Sequence, residues 1–107
     1  MSNATTTEPT MEIATTIQAQ IGNRAFAMMG AKNLLAGDRS LQWKVGGNAK
    51  KVTHVTVLLA ADDTYTVTFH RVTKRGLDVK VIAELEGVYV DSLHRVIESA
   101  TGFYLSL

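Results

Sequence analysis

Between Leu41 and Leu85 apolar and polar residues alternate, and that alternation constrains the fold more than any other feature of the sequence. Leu41, Trp43 and Val45 alternate with Gln42 and Lys44; Val55, Val57 and Leu59 alternate with His54, Thr56 and Leu58. Tyr65, Val67 and Phe69 alternate with Thr64, Thr66, Thr68 and His70, and Val79, Val81, Ala83 and Leu85 with Lys80, Ile82 and Glu84. Successive strand side chains point to opposite faces, so these segments read as half-buried strands. Turn residues separate them at Gly46-Gly47-Asn48, Asp62-Asp63 and Gly76.

Face matching then sets the register, because directly opposed residues share a face and a one-residue slip mixes faces. A loop over Ala61 to Asp63 sets Leu59 opposite Tyr65, Val57 opposite Val67 and Val55 opposite Phe69. A loop over Thr73 to Leu77 sets Phe69 opposite Val81, Val67 opposite Ala83 and Tyr65 opposite Leu85. The loop from Gly46 to Lys50 keeps Leu41 and Trp43 on the same apolar face. The three connections agree on one antiparallel meander with one apolar side.

Outside the meander the pattern turns helical. Ile13, Ile17 and Ile21 recur every four residues, with Gly22-Asn23 as a stop. Tyr89, Leu93, Val96, Ile97 and Ala100 form a second helical stripe, with Asp91, His94, Arg95 and Glu98 opposite and Gly102 past its end. The stretch from Arg24 to Leu35 admits two readings. Its Ala and Met residues favour helix, whereas the glycines bracketing a short apolar run favour a buried strand, and a strand at 25–29 is the preferred expectation. The fold class expected is α+β: an antiparallel meander of four to five strands with N- and C-terminal helices packed on one face. The tail Phe103-Tyr104-Leu105-Ser106-Leu107 is apolar enough to need a core or a second subunit to cover it.

With 107 residues there is room for one domain. Residues 1–10, Thr-rich and carrying the sole proline, read as a disordered leader, and residues 11–107 as a single α+β domain. The chain has no cysteine, which removes disulfides, thiolate catalysis and cysteine-ligated zinc and fits a reducing, cytoplasmic setting. No apolar run reaches the roughly 18 residues that would span a bilayer, and the N-terminus lacks the parts of a signal peptide. No membrane partner is expected.

Candidate chemistry is sparse. His54 faces His70 across two strands, two groups of a possible metal site with no third ligand evident, so an ordinary pair of strand histidines is preferred. Asp62-Asp63 suits a hairpin turn, and Glu84 and Glu86 alternate on one strand, so no pair of carboxylates converges. Asp91, Ser92 and His94 diverge on a helix, and no phosphate-binding glycine motif is present. No enzyme, cofactor or metal is expected.

Charge placement stands out. An up-and-down meander gathers Lys44, Lys50, Lys51, Arg71, Lys74, Arg75 and Lys80 at one end, seven of the eleven Lys and Arg residues, behind a net charge of only +1. The other end gathers Asp62, Asp63, Glu84 and Glu86. The basic end suits phosphates, hence nucleic acid or another polyanion; charged hairpin tips serving only solubility are the alternative. Trp43, Tyr65 and Phe69 share the buried parity, which argues against base stacking on the sheet. The outer face, Thr-rich with Val52, Leu58, Val72 and Ile82 interspersed, is mixed enough to serve as a protein interface or in a homo-oligomer.

Ile21-Gly22-Asn23-Arg24 through Gly30-Ala31-Lys32-Asn33, and Gly87-Val88-Tyr89 through Thr101-Gly102-Phe103-Tyr104-Leu105, resemble a family of small uncharacterised proteins from bacteriophages and mobile elements. The resemblance covers most of the chain after residue 11. It implies a small accessory protein with no assigned activity and no functional residues to carry over, and it too favours a strand at 25–29.

Overall fold

A computed structural model describes residues 9–73 and 78–102. Helix α1 (Pro9–Ile21) and helix α2 (Asn23–Met29) are followed by strands β1 (Lys32–Ala36), β2 (Ser40–Lys44), β3 (His54–Leu59), β4 (Tyr65–Val72) and β5 (Val79–Val88). A 3-10 turn, Val90–Ser92, leads into helix α3 (Leu93–Thr101). The five strands form one antiparallel sheet in the order β1-β2-β3-β4-β5, so the fold is α+β with an up-and-down meander.

The central registers are those that face matching requires. Leu41 pairs with Val57 and Trp43 with Val55; Val55 pairs with Phe69, Val57 with Val67 and Leu59 with Tyr65. All of these except the partly buried Leu59 belong to the buried core, together with Ile17 and Ile21 of α1, Ala25, Phe26 and Met29 of α2, and Leu93 and Ile97 of α3. The helices therefore cover one face of the sheet. Phe26 meets Trp43 edge to face, ring centroids 5.0 Å apart. Across the helices, His94 Nε2 donates to the Ile21 carbonyl at 2.6 Å, tying α3 to the end of α1.

Four expectations are corrected. The segment 25–29 is helical, not extended. Ala25, Phe26 and Met29 fall on one side of a short helix, and Gly30 closes it in the left-handed conformation at φ 62°, with Ala31 N–H donating to Phe26 O at 3.0 Å. The first helix begins at Pro9, within the last two residues of the segment expected to be a disordered leader, consistent with the tolerance of proline in a first helical turn. Tyr89 does not join the buried stripe of α3; the extended residue before the 3-10 turn, it is 67% exposed.

The fourth correction concerns β5, which carries two register shifts against β4. Val72 pairs with Val79 and His70 with Val81, which turns both valines to the uncovered face. Beyond the first shift Phe69 pairs with Ala83 rather than Val81, and Val67 with Leu85 rather than Ala83. Beyond the second, Tyr65 pairs with Val88 rather than Leu85, past Gly87 at φ 68°. Each shift inserts an extra residue on β5, the geometry of a β-bulge, and a left-handed glycine suits such a site.

Candidate functional site

The ends of β2 and β4 and the starts of β3 and β5 meet at one edge of the sheet, so the connections after Lys44 and Val72 leave from the same end. Lys44, Lys50, Lys51 and Lys80 are exposed there, and Arg71, opposite Lys80, is half-buried. Lys74 and Arg75 lie outside the described residues, as do the tail from Phe103 to Leu107 and the first eight residues. Asp62 and Asp63 sit in the opposite turn.

The loop bearing Lys50 and Lys51 is built around Asn48. Its side-chain amide donates to the carbonyls of Gly46 at 2.9 Å and Val52 at 2.7 Å, while Oδ1 accepts from Val52 N–H at 3.0 Å. Lys51 takes a left-handed backbone, φ 60°, and its carbonyl accepts from Arg71 Nε at 3.1 Å. That bond fixes the guanidinium of Arg71 against the loop. Gly46 N–H donates to the Met29 carbonyl at 2.8 Å, which anchors the same loop to the end of α2.

On the uncovered face the strand pairing does something the sequence did not disclose. Lys32 pairs with Lys44, Lys44 with His54 and His54 with His70. Paired residues share a face, so these four side chains form one row across four adjacent strands. With strands about 4.8 Å apart the row is about 14 Å long. The next partner is Val81, so the row contains no carboxylate. Like charges directly opposed in a sheet are destabilising. Lys32 was missed because nothing in its own segment, Lys-Asn-Leu-Leu-Ala, alternates; only its pairing with β2 brings it to the row.

The histidines respond to this setting. Burial holds the His54 imidazole below its ordinary pKa, and the positive fields of Lys44 and then His70 act in the same direction. Thr53 Oγ1 lies 2.8 Å from His54 Nδ1, so Nε2 is the ring atom through which a ligand would be met. Thr53 also accepts from Val72 N–H at 2.8 Å, tying the ring's support to β4. Around the row stand Gln42, Thr56 and Thr68, half-buried polar groups. Thr68 Oγ1 donates to Glu84 at 3.1 Å, placing that carboxylate two positions along from His70.

Other chemistry is thin. Among the described residues no group of three or more His, Cys, Asp or Glu could hold a metal ion. Nor is any described helix long and apolar enough to cross a membrane. A shallow depression of about 530 Å³ near the acidic turn is lined by Asp62, Thr64, Thr66 and Glu86 and includes neither sheet histidine. There Asp62 Oδ1 accepts from Thr64 Oγ1 at 2.6 Å and Thr64 N–H at 3.1 Å, bonds that hold its carboxyl below the usual range. This is turn chemistry. No family model, curated protein or solved structure matches the chain.

Proposed function

We propose that this chain is a small non-enzymatic accessory protein, of the bacteriophage or mobile-element type, that holds a polyanion through its basic sheet end. Nucleic-acid backbone is the ligand the charges suit best. The reading rests on the separation of charge along the strands. Lys44, Lys50, Lys51, Arg71 and Lys80 stand at one end, with Lys74 and Arg75 in the connection between β4 and β5, and Asp62 and Asp63 at the other. Such a dipole steers a polyanion to one end of the molecule despite a net charge of +1. Binding of this kind weakens steeply with salt, because each contacted phosphate releases a counterion. Mobility shift with mixed DNA and RNA fragments at about 50 mM salt tests it, since phosphate contacts are strongest there. A shift that fades as salt rises is expected. Its absence with every fragment refutes the reading.

A second reading draws on the uncovered face itself. Leu35, Val79 and Val81 are 63%, 58% and 55% exposed there. Apolar groups at two sides of an open sheet also suit a protein partner or a second copy of the chain. Light scattering separates the two: an oligomer that dissociates in the Val79→Ser, Val81→Ser variant, with no affinity for nucleic acid, favours the protein interface.

A further inference from the structure

At the basic end of the sheet the strand pairing singles out one face. We propose that the phosphate track is the cross-strand row of Lys32, Lys44, His54 and His70 on the open face, that its ligand is duplex nucleic-acid backbone, and that its charge, and so its grip, rises in mild acid. This rests on the polyanion reading above and adds the face, the ligand class and the regulation.

Three observations support it. The first is charge complementarity: two lysines and two histidines stand in direct opposition with no carboxylate among them. A row of phosphates relieves that repulsion, and nothing within the row does. The second is the make-up of the face. Gln42, Thr56 and Thr68 border the row; the hydroxyl of Thr56 donates to Gln42 at 3.4 Å and that of Thr68 to Glu84 at 3.1 Å, which leaves the amide N–H groups of Gln42 for phosphate and sugar oxygens. The aromatic side chains of the sheet, Trp43, Tyr65 and Phe69, are all buried on the other side. With no Trp, Tyr or Phe of the sheet on that face, and its two imidazoles set in the row beside Lys44, the face favours backbone over base and duplex over single strand. The third is dimension: about 14 Å of row reaches across a minor groove, about 6 Å wide, to the phosphates on both its sides.

Acid sensitivity follows from who faces whom. His54 is met by Lys44 from β2 and by His70 from β4, and both oppose its protonation. Lys32 from β1 adds a further positive charge one strand away, and Glu84 of β5, held by Thr68, is the carboxylate on the His70 side. A bound phosphate reverses this balance, since an anion favours the protonated ring. By linkage, protonation and binding then strengthen each other.

The test is fluorescence anisotropy of the intact chain with a labelled mixed-sequence duplex of about 20 base pairs, titrated with salt at about pH 7.5 and about pH 5.5. Binding should be tighter at the lower pH, and the slope of log K against log salt should steepen by about 1 to 2, the contribution of one or two added phosphate contacts. His54→Gln with His70→Gln should remove that steepening, and Lys32→Gln with Lys44→Gln should weaken binding at both pH values. All four positions lie on the open face, so circular dichroism is expected to report an unchanged fold. Duplex binding that ignores pH, or a pH response that survives in the histidine variant, overturns the inference and leaves the polyanion reading standing. No duplex binding at either pH overturns the inference, and only the further absence of binding to every DNA and RNA fragment overturns the polyanion reading with it. Tighter capture by vesicles rich in anionic lipid, or by single strands, overturns the ligand assigned here.

Discussion

The two faces of the sheet are made by the same strands and obey opposite rules. On the covered face Trp43, Val55, Val57, Val67 and Phe69 are fully buried, and shape and area decide which residue stands where. On the open face Lys32, Lys44, His54 and His70 stand in a row whose mutual repulsion would, by itself, disfavour that arrangement. The lesson is one of hierarchy. Because strand side chains alternate strictly, a register fixed by the apolar face delivers the polar face as a consequence. Core burial is worth far more than the repulsion between a few solvated charges. The sheet can therefore hold two lysines and two histidines in one row, ready for an anion, without any device on the open face to do so.

Substitutions should show this asymmetry plainly. Phe69→Ala on the covered face is expected to cost about 3 to 5 kcal/mol, whereas Thr68→Ala, its neighbour on the open face, should stay within about 0.5 kcal/mol. Urea denaturation measures both, and comparable losses would break the comparison. Asn48→Ala comes next. It leaves the Val52 N–H and the Gly46 and Val52 carbonyls without their partner, a loss of about 1 to 3 kcal/mol, and should also weaken polyanion binding by loosening Lys50 and Lys51. Gly87→Ala should cost about 1 to 2 kcal/mol, since only its φ of 68° and no crowding opposes a side chain there. A smaller loss would indicate that the second bulge of β5 shifts to accept the new residue.

The smallest effect on stability belongs to the row itself. Lys44→Gln should change stability near neutral pH by less than about 0.5 kcal/mol. It should raise the His54 pKa, because Lys44 is among the causes that hold it down. A histidine with its pKa lowered in the folded state contributes stability that is full above its unfolded value and is lost as pH falls through the folded one. The chain should thus lose stability in mild acid, and Lys44→Gln should lessen that loss. Proton NMR titration of the imidazole and urea melts across the same pH range check the two halves of this statement.

The covered face was legible and the open one only in part, for a single physical reason. Apolar alternation in β2, β3 and β4 encodes burial, and burial demands one register, so Leu41, Trp43, Val55, Val57, Val67 and Phe69 are paired as their pattern requires. Strand β1 encodes none of this. All five of its residues are exposed, its pairing with β2 shifts between Lys32 and Leu35, and Asn33 adopts φ 55°, so only the edge of β2 specifies it. In β5 alternation sets Val79 and Val81 on one face with Ala83 and Leu85, whereas the pairing turns the two valines to the open face, because a bulge leaves no mark in a run such as Val-Lys-Val-Ile-Ala. The short apolar run at 25–29 is compatible with either period. Its helix is decided by packing of Phe26 on Trp43 and by the Gly30 cap. Lysines 44, 50, 51 and 80 and Arg71 were legible as an end cluster because the strand order was legible. The row escaped notice because it depends on Lys32.

Trp43 marks what the covered face tolerates to keep this register. Its indole N–H is buried with no hydrogen-bond partner among the described residues. An unpaired buried donor costs about 1 to 3 kcal/mol. Its full burial and its edge-to-face contact with Phe26 outweigh that cost. Here again the interior sets the terms and the polar group conforms.

Mapping amide and imidazole shifts on the isotope-labelled chain as a short DNA duplex is added tests the central claim most directly. The account predicts changes centred on Lys32, Lys44, His54, His70 and the adjoining Thr56 and Thr68, with α1 and α3 unmoved. Changes centred on the Asp62–Asp63 turn or on the helices, or no change at low salt, would contradict it.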